Sequence, residues 1–154
     1  MSDVGQRGFT LLEMVCVLAI IALLAAVLLP FIPHETSRSR LQAYALQIAT
    51  LLKTDRNAAI RQQTGVATLV DAEARAIRSG ASRATVRIPD DVRFDALLPD
   101  TCARRPALST INFFANGTSC GGTIALTRFD IGYEIRVNWL TGRIEVSPHD
   151  TAIN

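Results

Sequence analysis

Few residues of this 154-residue chain have the types and spacing that chemistry requires. His34 and His149 are its two histidines, and neither stands in an HxxxH or HExxH frame that would bring two imidazoles to one metal. Asp90, Asp91 and Asp100 carry carboxylates without the Asp-x-Asp-x-Asp-Gly frame of a calcium loop, so they read as turn residues. Gly117, Gly121 and Gly122 lack the GxxxxGK context of a phosphate loop, and Ser119-Cys120 lacks a nucleophile elbow. Arg104-Arg105 reads as a solvated loop pair. No CxxC is present, which argues against dithiol redox work and a zinc knuckle. These patterns point away from an enzyme and imply no cofactor and no metal.

Glu13 is the residue whose placement asks for an explanation. It follows Gly8-Phe9-Thr10-Leu11-Leu12 and opens an apolar run, residues 14–29, that carries no charge. From residue 9 to residue 29 the run is about 21 residues, enough for a helix to cross a hydrocarbon core of roughly 30 Å. A carboxylate within such a span costs about 2.5–3.5 kcal/mol on insertion scales, so it needs a partner or a task. No Lys, Arg or His lies between Gly8 and His34 to supply one. Cleavage between Gly8 and Phe9 would expose an α-amine one helical turn from Glu13. With copies packed side by side and staggered, one copy's amine can neutralise another copy's acid.

A short polar segment with Arg7, ending in Gly8 and followed by Phe-Thr-Leu-Leu-Glu and an apolar helix, resembles the class III leader of type IV pilins and type II secretion pseudopilins. The resemblance implies that a prepilin peptidase cuts after Gly8, that the new N-terminus Phe9 is N-methylated, and that Glu13 is needed for assembly. A secretory signal peptide would instead be cut after its apolar run at small residues, and Leu28-Leu29-Pro30-Phe31 offers none. The charge pattern leaves orientation open, since Arg7 precedes the span and Arg38 and Arg40 follow it. The leader resemblance implies a cytoplasmic residue 1–8 segment, a single inner-membrane pass, and a periplasmic remainder.

The elements that carry these residues follow from periodicity. After Pro30 and Pro33 a helical pattern resumes at Ser37, with Leu41, Ala45, Ile48, Leu51 or Leu52 and Ala59 on one face. It predicts one long helix from the membrane to about residue 63, perturbed at the prolines, with Gly65 as its stop. From Val66 the grain changes to period two. Strands are predicted around residues 66–71, 74–78, 84–89, 92–95, 109–115, 123–128, 133–139 and 142–146. Residues 99–106 read as a loop. Asn116-Gly117 reads as a turn, and Leu140-Thr141-Gly142 closes a final hairpin.

The expected fold is α+β: a long N-terminal helix, membrane-spanning in its first half, packed on a C-terminal antiparallel β-sandwich. The expected divisions are a leader at 1–8, the membrane half of the helix at 9–29, its periplasmic half at 30–64, a β-sheet head at 65–147 and a frayed tail at 148–154. About 120 residues after the span can bury a core. The formal charge of +2 implies no strong electrostatic partner.

Three further stretches are similar to the GspH/FimT group of minor pseudopilins: residues 49–63, Phe-Phe-Ala-Asn-Gly-Thr at 113–118, and Ile-Arg-Val-Asn-Trp-Leu-Thr-Gly-Arg-Ile at 135–144. The resemblance implies a structural subunit near the tip of a periplasmic pseudopilus that supports export across the outer membrane. Implied partners are major and tip minor pseudopilins, the prepilin peptidase, the inner-membrane secretion platform, and the secretin or an exported substrate. The alternative is a FimT-like minor type IV pilin acting in pilus assembly or DNA uptake. The stretch Glu145-Val-Ser-Pro-His-Asp is not basic, which disfavours DNA. In an oxidising periplasm Cys102 and Cys120 either form a disulfide or remain two thiols, and Cys16 in the apolar run reads as a small hydrophobe.

Overall fold

A computed structural model describes residues 10–28 and 36–150. The chain divides into two compact units, at 1–35 and 36–154. Gly8, Phe9, the leader, and tail residues 151–154 lie outside the described residues.

The first unit contains one helix, α1, Leu11–Leu28. At about 1.5 Å per residue its 18 residues span roughly 27 Å. The run at 9–29 begins and ends outside the described residues. Among those described, no helix is long and apolar enough to cross a membrane. Thr10 caps α1: its hydroxyl accepts from the Glu13 backbone N–H at 3.3 Å. Thr10 and Glu13 stand in the T-x-x-E spacing of a capping box, and an acid in the first turn is favoured by the helix dipole. Every residue from Leu11 to Ala26 is exposed within the chain.

The second unit begins at Thr36 and is organised around α2, Arg38–Gln62. Ser37 caps its start, with its hydroxyl accepting from the Arg40 N–H. The buried stripe is Leu41, Ala45, Ile48, Ala49, Leu51, Leu52, Asp55, Ala58 and Ala59, the face that the sequence period marks plus one acid it does not. α2 ends three residues before Gly65, the glycine assigned as its stop. Gln63 takes the left-handed conformation at φ 51°, and its side-chain amide donates to the Ile60 carbonyl at 2.7 Å. A side-chain bond to the helix end offsets the strain a non-glycine residue bears there. α1 and α2 are separate helices among the described residues, and the expected continuity across Pro30 and Pro33 falls on undescribed positions.

Ten strands follow: β1 Val66–Asp71, β2 Ala76–Arg78, β3 Thr85–Arg87, β4 Arg93–Leu97, β5 Thr101–Cys102, β6 Arg105–Pro106, β7 Thr110–Phe113, β8 Gly122–Arg128, β9 Ile131–Val137 and β10 Ile144–Asp150. They form two antiparallel four-stranded sheets, ordered β3-β2-β1-β7 and β10-β9-β8-β4, and a small β5-β6 hairpin. α2 packs on both large sheets, touching β8, β9 and β10 on one side and β1, β3 and β7 on the other. Side chains from all three layers share one core, in which Leu52, Ile77, Ile111, Phe113, Ile124, Leu126 and Ile135 are fully buried.

Two expectations need correction. The tail is not frayed from Pro148: β10 pairs with β9 through Asp150, with Pro148 opposite Tyr133. β10 is an edge strand, where a proline's missing N–H can face away from the ladder. The segment at 99–106 is not a plain loop, because Thr101 pairs with Pro106 and Cys102 with Arg105. Ala103 and Arg104 turn that hairpin at φ 49° and 65°, a conformation that Ala-Arg does not advertise.

Candidate assembly surfaces

The residues expected from the sequence to direct cleavage and assembly, Gly8, Phe9 and Glu13, belong to the first unit. Of these, Glu13 is described, in the first turn of α1, exposed, and followed by fifteen residues of which none is charged. The capping arrangement gives this acid a local reason to sit where it does. It does not supply a cation, and among the described residues no ion pair reaches Glu13. Such a helix, exposed all round and apolar beyond its first turn, is stable only where lipid or other helices cover it.

The head fastens α2 at three points. Where the chain enters, Asp91 accepts from the Thr36 N–H at 2.7 Å and the Thr36 hydroxyl at 2.9 Å. Arg128 donates to the Thr36 carbonyl at 2.8 Å, and its Nε lies 3.1 Å from Asp91. The Thr36 backbone N–H above all, with the Thr36 hydroxyl and Arg128 assisting, holds the Asp91 carboxyl below its usual 3.8. Burial of the carboxyl works in the opposite direction. This latch joins the β3–β4 loop, the end of β8 and the residue from which the second unit starts.

Midway along α2, Asp55 is fully buried. Its carboxylate accepts from the hydroxyls of Thr68 on β1 and Ser79, and from the backbone N–H groups of Gly80 at 3.0 Å and Ala81 at 3.2 Å. A buried charge is tolerated when its lone pairs are filled in this way. The helical period picks out apolar residues alone and so passes over Asp55. The signal that could have found it is its position three and four residues on from Leu52 and Leu51, within the apolar stripe.

One residue further along α2, Arg56 donates from Nε to the Gly117 carbonyl at 3.0 Å and from Nη2 to the Thr141 carbonyl at 3.1 Å. It thereby ties the 114–118 turn and the β9–β10 turn to the helix. Gly142, at φ 62°, presses against the Gly117 carbonyl so closely that a Cβ there would overlap it. The helix text, the Phe-Phe-Ala-Asn-Gly-Thr segment and the final hairpin text therefore meet at one guanidinium. Three stretches that looked separate in the sequence are one interlock in space.

The two cysteines of the head are bonded: Cys102 joins Cys120, with Cα atoms 5.7 Å apart and a sequence separation of 18. The bond fastens the β5–β6 hairpin to the segment before β8. In the loop-entropy description a closure of this length contributes about 3 kcal/mol. Cys16 is an exposed thiol on α1. Among the described residues no cluster of three or more metal-ligating side chains occurs.

Comparison with known proteins agrees with this layout. Residues 4–29 match the Prokaryotic N-terminal methylation motif. The type II secretion system protein H of Xanthomonas campestris pv. campestris is 33% identical over 147 residues, covering 92% of this chain and 83% of that protein. The minor pseudopilin EpsH from the type 2 secretion system of Vibrio cholerae superposes with a TM-score of 0.54 at 10% identity, covering 70% of this chain and 95% of that one. The type IV minor pilin FimU of Pseudomonas aeruginosa superposes with a TM-score of 0.52 at 20% identity, over 73% of this chain and 92% of that one. The two superpositions show a shared pilin-like fold, and the sequence match covers most of the chain. The chain belongs to the type II secretion system protein H family, the GspH/FimT group of minor pseudopilins.

Proposed function

We propose that this chain is a structural subunit of a type II secretion pseudopilus, placed near its tip, where it supports export of folded proteins across the outer membrane. The observation that carries this reading is Glu13, a lone acid in the first turn of an otherwise uncharged and fully exposed helix. Prepilin peptidase cuts between Gly8 and Phe9 and the new amine of Phe9 is methylated. Before assembly the apolar helix crosses the inner membrane once, with the head in the periplasm. The secretion platform then moves it into a bundle in which the helices of other pseudopilins replace lipid. There the amine of Phe9 in one subunit neutralises Glu13 of another, removing the insertion cost of an isolated carboxylate. The head carries no catalytic step and acts through contacts with neighbouring subunits, the secretin or exported protein.

The test is Glu13→Ala beside Glu13→Gln. Both are expected to insert and to be cleaved, and both are expected to be missing from sheared pseudopili. Normal incorporation of either variant would sink the mechanism. Gly8→Ala is expected to leave the precursor uncut, visible as an unshifted band on a gel.

A second reading, a minor type IV pilin acting in pilus assembly or DNA uptake, draws support from the fold shared with FimU. It requires salt-dependent binding of DNA by the head. A mobility-shift assay at two salt concentrations separates the two readings.

A further inference from the structure

Asn116-Gly117 is the one Asn-Gly pair of the chain. The turn uses Gly117 for its conformation, at φ 82°, in the left-handed region that glycine adopts without steric cost. The pair also carries a reactivity that turn geometry does not require. The backbone nitrogen of the residue after an asparagine can attack the side-chain carboxamide, and glycine, lacking a side chain, obstructs that attack least. In this turn the two reacting groups are treated differently. Asn116 is exposed to water, and its Oδ1 accepts from the Thr118 N–H at 3.1 Å and the Thr118 hydroxyl at 2.7 Å. Attack at Cγ puts negative charge on that oxygen, so the two donors already stand where an oxyanion would form. The nucleophile is restrained. Gly117 is buried, its N–H donates to the Phe114 carbonyl at 2.8 Å, and its own carbonyl accepts from Arg56 Nε at 3.0 Å. Arg56 and Ile60 crowd its Cα, where a Cβ would come within 3.1 Å of each, and Gly142 abuts its carbonyl.

We infer that Asn116 is a caged deamidation site: a carboxamide made electrophilic by Thr118, whose attacking nitrogen is kept bonded to Phe114 for as long as the Arg56 interlock holds. The inference stands apart from the pseudopilus reading. When the turn opens, the Gly117 nitrogen gives up its proton to water and bonds to Asn116 Cγ. The Cγ–Nδ2 bond breaks, and the leaving nitrogen takes up a proton and departs as ammonia, leaving a five-membered succinimide. Water then opens that ring to aspartate or isoaspartate, with no change of oxidation state. The isoaspartate product places one more carbon in the main chain between positions 116 and 117. The turn is then too long for the spacing that Arg56 and Gly142 set, so an interlock that has opened and reacted does not close again.

Peptide mass spectrometry of the full-length protein in detergent, incubated at mildly alkaline pH, follows aspartate and isoaspartate at position 116. Folded wild type is expected to keep Asn116 intact over a period in which the urea-unfolded chain converts most of it. Arg56→Ala is expected to convert it about tenfold faster than wild type, because the reaction runs from the locally opened turn and this variant makes opening easier. Arg56→Lys keeps the charge and one donor, is expected to fall between, and replaces the alanine variant should that one not fold. Amide exchange in β1, measured on the same samples, subtracts any conversion that passes through global unfolding. Thr118→Val added to either Arg56 variant is expected to slow conversion about fivefold by taking a donor from the oxyanion, whereas a merely loosened turn would react faster. Conversion of folded wild type as fast as the chain in urea would overturn the cage. So would an Arg56 variant whose amides at 114–118 exchange faster while Asn116 stays intact. Faster conversion on adding Thr118→Val would overturn the role given to Thr118.

Discussion

The two helices of this chain are built from the same kind of apolar residue and meet opposite fates. α1 exposes its apolar side chains on every face, whereas α2 hides one stripe against two sheets and shows solvent its glutamines and arginines. Each helix also holds one acid where an acid is costly. Asp55 of α2 finds four donors within its own head. Glu13 of α1 finds one capping contact through its backbone and, among the described residues, nothing for its charge. A helix whose partners are encoded downstream is a core element. One that finds no partner among the described residues is, in the reading proposed above, an assembly element.

That contrast can be broken most sharply at Glu13. Its replacement by Ala removes a dipole interaction worth only about 0.3–1 kcal/mol to the helix itself. The head's melting temperature is expected to stay unchanged while incorporation into pili is lost, a separation that electron microscopy and calorimetry read together. Asp55→Ala is expected to do the reverse. Removing the acceptor leaves the buried Thr68 hydroxyl unpaired and strips the half-buried Ser79 hydroxyl and the Gly80 N–H of their acceptor, and with the cavity left in the core the cost is about 3–4 kcal/mol. For a head of about 120 residues that is a fall in Tm of more than about 10 °C by calorimetry, before any question of assembly arises.

Loss of the Cys102–Cys120 bond in a double serine variant is expected to cost about 3 kcal/mol. Urea unfolding with and without reductant measures it, and the wild type under reductant should approach the variant. Arg56→Ala is expected to cost about 2 kcal/mol, through two lost bonds from a charged donor. Amide exchange should quicken at residues 114–118 and 138–143 ahead of the rest of the head. The smallest effect concerns Asp91. Its carboxyl is held below the usual value when folded, so its contribution is present at neutral pH and lost as the pH falls through the folded value. Asp91→Asn is therefore expected to melt lower than the wild type at pH 7, the two curves converging at the acid end.

How far these features were legible differs by cause. The face of α2, the limits of β1 and the final hairpin follow from hydrophobic period, and the structure places Leu41, Ile48 and Leu52 in the core as that period requires. The β5–β6 hairpin was hidden because a left-handed Ala103-Arg104 turn has no compositional mark. Pro148 suggested an end because proline breaks ladders in general, yet an edge strand accommodates it. Asp55 was invisible as a core residue because its donors, Thr68, Ser79, Gly80 and Ala81, lie thirteen to twenty-six residues away. The Arg56 interlock was present in the text as three separate stretches, and only folding shows why they belong together. The T-x-x-E cap of α1 was readable at Thr10 and Glu13 and was overlooked, since the cost of the acid drew attention from its helical position.

The proposed assembly role depends on a new N-terminus being made one turn ahead of Glu13. Intact mass and N-terminal sequencing of the protein taken from inner membranes test that directly. The expected polypeptide begins at Phe9 and carries one additional methyl group on its amine. A chain that still begins at Met1, or that begins beyond Leu29, would contradict the assembly role.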